Sequence, residues 1–367
     1  MTRPTQKLCF DFIAGETMAV SHEPPAYAGS LDPSLFRFET HVTGGAGWVA
    51  IAFRIFRTIL TRTPDVVVSN EYRRAFLVNL ALILTRSRAP HLVLGMNLSA
   101  RPIVSRHSVI QRLIDRIFAR SSAIVVHSTK EAEFFTELHH LPVGRFCFGH
   151  WGFDLPLTDS DRFDSEAKPF VCMIGRNNRD LETFADAVQR AGIAGIAVVP
   201  GYMHLDPALE KGLKIYRDLP MADCISCIRN AAANVTLLRD GSRGAGHITV
   251  VTAMHLGIPQ IYSKTEVLRE YFPSDAFGTA VPIGDAAAAS EAILQVLKAH
   301  DAPDLDTSAD ARRAFARTWL SHDSGSRRIA AVFLAMLENR ALALTDPEWD
   351  RWLAQNISAP QRAVAVS

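Results

Sequence analysis

The feature of this sequence that most restricts its fold is a repeated alternation of short apolar runs with longer amphipathic segments. Runs such as 65–69 and 123–127 are rich in valine and isoleucine, and they are too short to be buried helices. Strands that are apolar along their whole length are typical of parallel sheets that helices cover on both faces. The sequence therefore predicts an α/β protein.

The alternation occurs twice, on either side of the polar, aperiodic segment 155–169, which has the composition of a linker. In the first half we predict strands at 7–13, 35–41, 65–69, 91–95, 123–127 and 145–148, and helices at 48–60, 75–85, 109–120 and 130–138. In the second half we predict strands at 169–175, 196–200, 214–218, 234–238 and 260–262, and helices at 181–190, 221–230, 248–256, 285–300, 309–319 and 326–338. Two such halves predict two doubly wound Rossmann-like domains, 1–160 and 161–340, with ligands at the carboxyl ends of the strands in a cleft between them.

Composition excludes several classes of protein. Of the 367 residues, 48% are hydrophobic and 21% are charged, as in ordinary soluble globular proteins, and the net charge of +1 gives no overall attraction to nucleic acid. Five cysteines do not form a disulfide framework, and we expect Cys224 and Cys227 to be reduced thiols. The N-terminus does not resemble a signal peptide and no apolar segment is long enough to span a bilayer, so we expect a cytoplasmic protein.

The first informative motif is PFVCMIGRNNRDLETFADAV, residues 169–188. Its predicted strand ends at Gly175, and Arg176 and Arg179 follow before a helix begins. Glycine allows a tight turn there, and guanidinium groups form bidentate hydrogen bonds with phosphate oxygens. The motif therefore predicts a phosphate contact, although a strand-end glycine with solvated arginines fits the same residues.

The second motif is GAGHITVVTAMHLGIP, residues 244–259. Its β-branched residues favour a strand, but Gly246 before the run and Gly257 with Pro259 after it are typical helix boundaries. We predict a helix that presents the free N–H groups of its first turn, and its positive end, to an anion. A strand–turn–strand is the alternative.

The order and spacing of the motifs resemble those of GT-B glycosyltransferases of the nucleotide-sugar-dependent, family-4-like bacterial type. IGRNNRDLETFADAV resembles the strand–Gly-Arg–helix opening of their donor domain, and GAGHITVVTAMHLGIPQI resembles their glycine-rich loop with the helix that follows. VPIGDAAAASEAILQVL resembles a later Gly-Asp–helix segment, and DRIFARSSAIVVHSTKEAEFF resembles a helix–strand–Ser–helix element of the first domain. The resemblance covers much of the chain between residues 113 and 298.

This resemblance implies transfer of a sugar from a nucleotide-diphosphate sugar to a saccharide or lipid-linked saccharide, as in bacterial surface polysaccharide or glycolipid synthesis. The acceptor would bind the first domain and the donor the second, with the nucleotide sugar as a substrate and no cofactor or metal. The tail 341–367, with Trp349 and Trp352, would pack back on the first domain. The expected donor-binding residues are Gly175, Arg176, Arg179, Gly244, Ala245, Gly246, His247, Ile248, Thr249 and Glu270.

The chain also departs from the family pattern. Many retaining members carry two glutamates across the glycine-rich loop and helix, where this chain has Gly244 and Thr252. Glu270 would supply a carboxylate instead, or is an exposed helix residue. On the acceptor side the candidates are Asn97 and Ser99, in place of a histidine or aspartate, together with His127, which also fits a core position.

Two residues are candidates for catalysis. Glu71 follows the strand PDVVVSN and is either a base or a helix cap, and His247 is placed to present its ring to the sugar or the phosphates. Neither residue distinguishes a retaining from an inverting reaction. Two other functions stay open, namely a nucleotide-sugar epimerase of the same architecture and a non-catalytic nucleotide-sugar-binding subunit, which the missing glutamate pair suggests.

Arginines border the apolar segments of the first half, and this pattern has two interpretations. Arg54 and Arg57 lie in WVAIAFRIFRTIL, and Arg112, Arg116 and Arg120 recur every four residues. Such helices fit an anionic membrane at the inner face of the cell membrane and a lipid-linked acceptor. Core helices with solvated arginine edges fit the same sequence.

Overall fold

The computed structural model describes residues 6–15, 18–45, 47–96, 109–156, 160–166, 169–241, 244–300, 305–342, 349 and 351. It divides the chain into two compact units, Met1–His150 with Asp323–Asp346 and Trp151–His322 with Pro347–Ser367. Each unit contains one largely parallel sheet with helices packed on it. The predicted α/β class is therefore confirmed.

The first unit is built on a seven-stranded sheet of order β2-β3-β1-β4-β5-β6-β7. Its strands are β1 (Lys7–Ala14), β2 (Ala19–Ser21), β3 (Phe36–Thr43), β4 (Val66–Asn70), β5 (His91–Leu94), β6 (Ala123–Val126) and β7 (Phe146–Phe148). Its first four helices are α1 (Trp48–Arg62), α2 (Tyr72–Leu84), α3 (Val109–Phe118) and α4 (Thr129–His139). All strands are parallel except the short edge strand β2, which the sequence analysis missed.

Alternate residues of these strands face two different cores. Phe10 and Phe12 of β1 pack against Ile51, Ile55 and Ile59 of α1. On the other face, Cys9 of β1 lies in a second cluster with buried residues of β3, β4 and β5. Burial on both faces explains why these strands are apolar along most of their length.

The second unit has a six-stranded parallel sheet of order β10-β9-β8-β11-β12-β13. Its strands are β8 (Phe170–Ile174), β9 (Ala194–Val199), β10 (Lys214–Arg217), β11 (Ala233–Thr236), β12 (Gln260–Ser263) and β13 (Thr279–Val281). Its helices are α5 (Leu181–Ala191), α6 (Pro207–Gly212), α7 (Met221–Asn230), α8 (His247–Leu256), α9 (Glu266–Arg269), α10 (Ala286–His300) and α11 (Leu305–Trp319). The short elements α6, α9 and β13 are too brief to show a periodicity in the sequence.

The last helix, α12 (His322–Leu337), lies in the first unit, although the sequence predicted it within the second domain. Phe333 of α12 is fully buried against Phe36 and Phe38 of β3, with ring centroids 5.4 and 6.0 Å apart. These contacts join residues almost 300 positions apart in the chain. The local pattern of α12 could not indicate which sheet it covers.

Two further segments differ from the prediction. The chain enters the second unit at Trp151, and Phe163 within the predicted linker is fully buried in the core of that unit, 5.1 Å from the Tyr216 ring. Trp349 of the predicted tail packs on Trp319 of the second unit, with ring centroids 5.1 Å apart. Trp352 lies outside the described residues.

Candidate functional site

Helix α8 confirms the helix predicted from the second motif. It begins after Gly246, whose φ is +93°, and ends before Gly257, whose φ is +75°. Val250, Val251 and Met254 lie in one core cluster, and Ala253 lies in another. The helix is therefore packed on two sides, and this burial outweighs the low helix propensity of its β-branched residues.

Gly246 cannot be replaced without strain, for two separate reasons. Its positive φ disfavours any residue with a side chain. A Cβ atom at this position would also lie 2.8 Å from Cγ2 of Thr236 and 3.2 Å from Cδ2 of Leu268. Because the N-cap residue is a glycine, it has no side chain that could accept a hydrogen bond from the first turn of α8. These N–H groups are suited to an anion.

Arg179 lies beside this helix start and is buried, with 7% of its surface exposed. Its Nε donates to the carbonyl oxygen of Ile174 at 3.0 Å and its Nη1 to that of Asn177 at 3.0 Å. Within the described part of the chain, no carboxylate forms an ion pair with it. Burial lowers the pKa of Arg179 to about 10, so the guanidinium group is charged at neutral pH.

The buried guanidinium group of Arg179 lies next to the first turn of α8. Nη2 of Arg179 lies 3.4 Å from Oγ1 of Thr249 in the first turn of α8. Gly175 makes room for the guanidinium group, since a Cβ atom there would overlap it, and its φ is +153°. A buried cation and the positive end of a helix repel each other unless an anion neutralises them. This arrangement favours an anionic group, and phosphate suits a guanidinium beside free N–H groups.

The other predicted donor residues lie in the loops after β8 and β11, in α8 and after α9. Arg176 is exposed and forms no hydrogen bond or ion pair with the described residues, and Ile248 is 47% exposed in the first turn of α8. Gly244 and Ala245 form the loop that leads to Gly246. Glu270 follows the last residue of α9 and is half-buried.

The placement of His247 corrects a prediction. Its ring is buried and stacks on the Tyr271 ring with centroids 4.4 Å apart, while Nε2 lies 3.0 Å from the carbonyl oxygen of Val267. The ring is therefore a packing group, and the placement does not support contact with a sugar. Its backbone N–H still belongs to the first turn of α8.

Two residues that sequence reasoning missed brace the loop after β8. Asn178, with φ of +57°, donates to the carbonyl oxygen of Asp240 at 2.7 Å. Arg239 donates through Nε to the carbonyl oxygen of Arg179 at 3.0 Å and through Nη2 to both carboxylate oxygens of Glu182. They hold the loops after β8 and β11 together. Nothing in the sequence separates Arg239 from a surface arginine.

Replacing Gly246 by alanine is expected to destabilise the chain by about 1–3 kcal/mol, because the backbone is held at a positive φ and the methyl group meets Thr236. Binding of a nucleoside diphosphate is expected to weaken with it. Urea unfolding and calorimetry measure the two effects. Gly212→Ala is the control, since a Cβ at Gly212 meets no atom closer than 4.0 Å. Equal stability of Gly246→Ala and the parent would contradict this reasoning.

The first unit gathers polar groups at the carboxyl ends of β3 and β4. Glu71 has a φ of +65°, which is rare for a residue with a side chain, and its carboxylate caps no N–H group of α2. Instead it forms an ion pair through Oε2 with Nη1 of the buried Arg74. Arg74 also donates through Nε to Oγ1 of Thr43 at 2.7 Å, at the end of β3. The carboxylate is 44% exposed.

His127 follows strand β6, which is two strands away from β4 in the same sheet. Its Nδ1 donates to the carbonyl oxygen of Gly149 at 2.8 Å, which leaves the basic lone pair on Nε2. Nε2 lies 3.2 Å from the position of a Cβ on Gly95, at the end of β5. Burial lowers the pKa of His127, so the ring is neutral at pH 7. Asn97 and Ser99, the other acceptor-side candidates, lie outside the described residues.

Among the described residues, no group of three or more His, Cys, Asp and Glu side chains is placed to hold a metal ion. A reaction without a bound metal stays a prediction.

The two units have the architecture of the GT-B fold, in which two Rossmann-like α/β domains follow each other along the chain. Two of the similar solved structures are a glycosyltransferase from Rickettsia africae ESF-5 (11% identity, 91% of this chain and 99% of that chain, TM-score 0.65) and HepE from Anabaena with UDP and glucose (13% identity, 89% and 99%, TM-score 0.66). A third is the lipopolysaccharide outer core galactosyltransferase WaaB (10% identity, 90% and 99%, TM-score 0.57). No protein-family model matches the sequence, and no curated protein matches it significantly.

Proposed function

We propose that this protein is a glycosyltransferase that moves a hexosyl group from a nucleotide-diphosphate sugar to a saccharide or lipid-linked saccharide acceptor. The observation that carries the proposal is the buried guanidinium of Arg179, which faces the uncapped start of α8 and has no carboxylate partner in the described part of the chain. The fold supports it, because HepE, with the same fold, is known with UDP and UDP-glucose.

The proposed chemistry is transition-state stabilisation at the diphosphate. When the bond between the sugar and the diphosphate breaks, negative charge grows on the leaving phosphate oxygen. The guanidinium of Arg179 and the N–H groups of the first turn of α8 would stabilise that charge. Arg176, which is exposed beside Gly175, would add a second cation.

The proposed acceptor site is the carboxyl edge of the sheet in the first unit. A hydroxyl group of the acceptor needs a hydrogen-bond acceptor to orient it and to take its proton. The 44% exposed carboxylate of Glu71 and the neutral ring of His127 are the groups suited to this role. A lipid-linked acceptor would place the reaction at the inner face of the cell membrane, with the protein bound there peripherally.

Nucleotide binding is the first test of this function. Thermal unfolding with a panel of nucleoside diphosphates and their sugars is expected to show one preferred nucleotide, which at 100 times its Kd stabilises the chain by roughly 2.7 kcal/mol. Release of nucleoside diphosphate from the matching sugar in the presence of an acceptor then measures transfer. Stabilisation by no nucleotide would contradict the proposal.

The same incubations distinguish a glycosyltransferase from the two other functions, an epimerase and a non-catalytic binding subunit. An epimer of the nucleotide sugar formed without acceptor would identify an epimerase. Nucleotide binding without any product, with all acceptors tried, would identify a non-catalytic binding subunit.

A further inference from the structure

Helices α1 and α3 of the first unit expose apolar side chains that belong to none of the cores. Trp48, Val49 and Phe53 lie in the first two turns of α1 and are 41%, 86% and 65% exposed. Val109, Ile110 and Leu113 lie in the first two turns of α3 and are 78%, 61% and 58% exposed. We call these six residues the apolar rim. Large exposed apolar groups at the start of a helix, as on both α1 and α3, mark an interaction surface.

The apolar rim lies at the same edge of the sheet as the proposed acceptor site. In a parallel α/β unit each helix runs antiparallel to the strands, so its first turns lie at the carboxyl edge of the sheet. Helix α2 packs between α1 and α3. The guanidinium carbons of Arg73 and Arg74 lie 5.3 and 5.8 Å from the ring centre of Trp48, and Arg74 holds Glu71.

The charged residues of the three helices are almost all basic. Helices α1, α2 and α3 contain seven arginines and one aspartate, in a chain whose net charge is only +1. Arg73, Arg112 and Arg116 are exposed. Such a surface complements an anionic one. A second copy of this chain bound symmetrically at the rim would bring arginines against arginines, which disfavours a dimer there.

The structure also shows that some of the arginines predicted to face a membrane are bonded to the protein's own backbone. Nη2 of Arg120 donates to the carbonyl oxygens of Ser87 and Ala89 at 2.9 and 2.8 Å, so this arginine braces a loop. Arg54 donates to the carbonyl oxygen of Ala19 at 3.1 Å. Of the predicted arginines, Arg57, Arg112 and Arg116 are therefore the exposed ones that could face a partner.

We propose that the apolar rim inserts into the headgroup region of an anionic bilayer, with the flanking arginines on lipid phosphates. Tryptophan is suited to that interface, and an amphipathic helix with arginines at its border binds anionic membranes. Among the described residues no helix is long and apolar enough to span a membrane, so contact would be at the surface. Membrane binding by the rim does not depend on the proposed function. The further idea that such binding brings a lipid-linked acceptor to Glu71 rests on the proposed function.

Flotation with vesicles tests the proposal on the full chain. The parent is expected to float with vesicles of phosphatidylcholine and phosphatidylglycerol, not with phosphatidylcholine alone, and to be released by high salt. The double variants Val49→Ser/Phe53→Ser and Ile110→Ser/Leu113→Ser are each expected to bind the anionic vesicles about 10-fold more weakly, because they lose buried apolar area.

The matched control is Leu60→Ser/Leu84→Ser. These leucines are 52% and 62% exposed but lie at the opposite ends of α1 and α2, so this variant is expected to bind as the parent does. Equal loss in the control and the rim variants, or no loss in the rim variants, would overturn the proposal, as would equal binding of the parent to both kinds of vesicle. Nucleotide-induced stabilisation is expected to be parental in every variant, so a failure of the proposed function shows separately.

Discussion

Replacing Arg179 by methionine is expected to weaken binding of the preferred nucleoside diphosphate by roughly 10- to 150-fold, because a hydrogen bond to a charged group contributes about 1.5–3 kcal/mol. The ligand-free chain is expected to be about as stable as the parent, because removal of a buried charge offsets the loss of the hydrogen bonds to the carbonyl oxygens of Ile174 and Asn177. Calorimetry measures the affinity and urea unfolding the stability. A large loss of affinity without a comparable loss of stability identifies a binding residue.

Arg190→Met is the control for this experiment. Arg190 is exposed in the last turn of α5, at the other end of that helix, where its Nε pairs with Asp186 at 3.0 Å. This variant is expected to bind the diphosphate as the parent does. A bare nucleoside is expected to bind the parent and Arg179→Met about equally, because only a phosphate contact is removed. Parental affinity of Arg179→Met for the diphosphate would place the donor site elsewhere.

A second large effect is expected on acid stability, and it arises from His91 in the core of the first unit. Its Nδ1 donates to Oδ1 of Asn79 at 2.7 Å, and its Nε2 accepts from the hydroxyl of Ser69 at 2.8 Å. This serine–histidine–asparagine chain is fully buried, so no substrate reaches it. Burial, with a smaller contribution from Arg120, lowers the pKa of His91 to about 3.

Stability is expected to fall as the pH falls, because the His91 ring is neutral in the folded protein. Unfolding exposes a histidine with a pKa near 6.5, so the stabilisation is complete above that pH and is lost as the pH falls toward the folded pKa of about 3. By about pH 4.5 the parent is expected to have lost roughly 3 kcal/mol through this group. In His91→Gln that loss is expected to disappear. Parallel urea-unfolding curves of parent and variant across this pH range would show that His91 is not responsible.

Much of the fold follows from local patterns in the chain. The valine- and isoleucine-rich runs predict the strands of a parallel sheet, because burial on both faces of such a sheet requires apolar residues. The bounds of α8 follow from Gly246 and from Gly257 with Pro259, since these residues tolerate or impose the backbone of a helix end. Alternation of strands and helices then restricts the topology to a doubly wound sheet in each half.

The candidate site was only partly predictable. The motif 169–188 places two arginines after a strand, but it does not indicate which one enters the protein. The structure buries Arg179 and leaves Arg176 exposed, because positive φ angles at Gly175 and Asn178 turn the loop and the carbonyl oxygens of Ile174 and Asn177 hold the guanidinium. The sequence also predicts that His247 presents its ring to the sugar or the phosphates, whereas in the structure the ring is buried and stacks on Tyr271.

The sequence by itself therefore determined the class of fold, the two sheets, most of their helices and the two loops at which an anion is expected. Only the tertiary structure decided which side chains meet at those loops, that α12 covers the first sheet, and that Trp349 packs on the second unit. The reason is physical. Strand and helix formation depend on periodicities that neighbouring residues carry, whereas side-chain direction and helix docking depend on contacts between residues far apart in the chain.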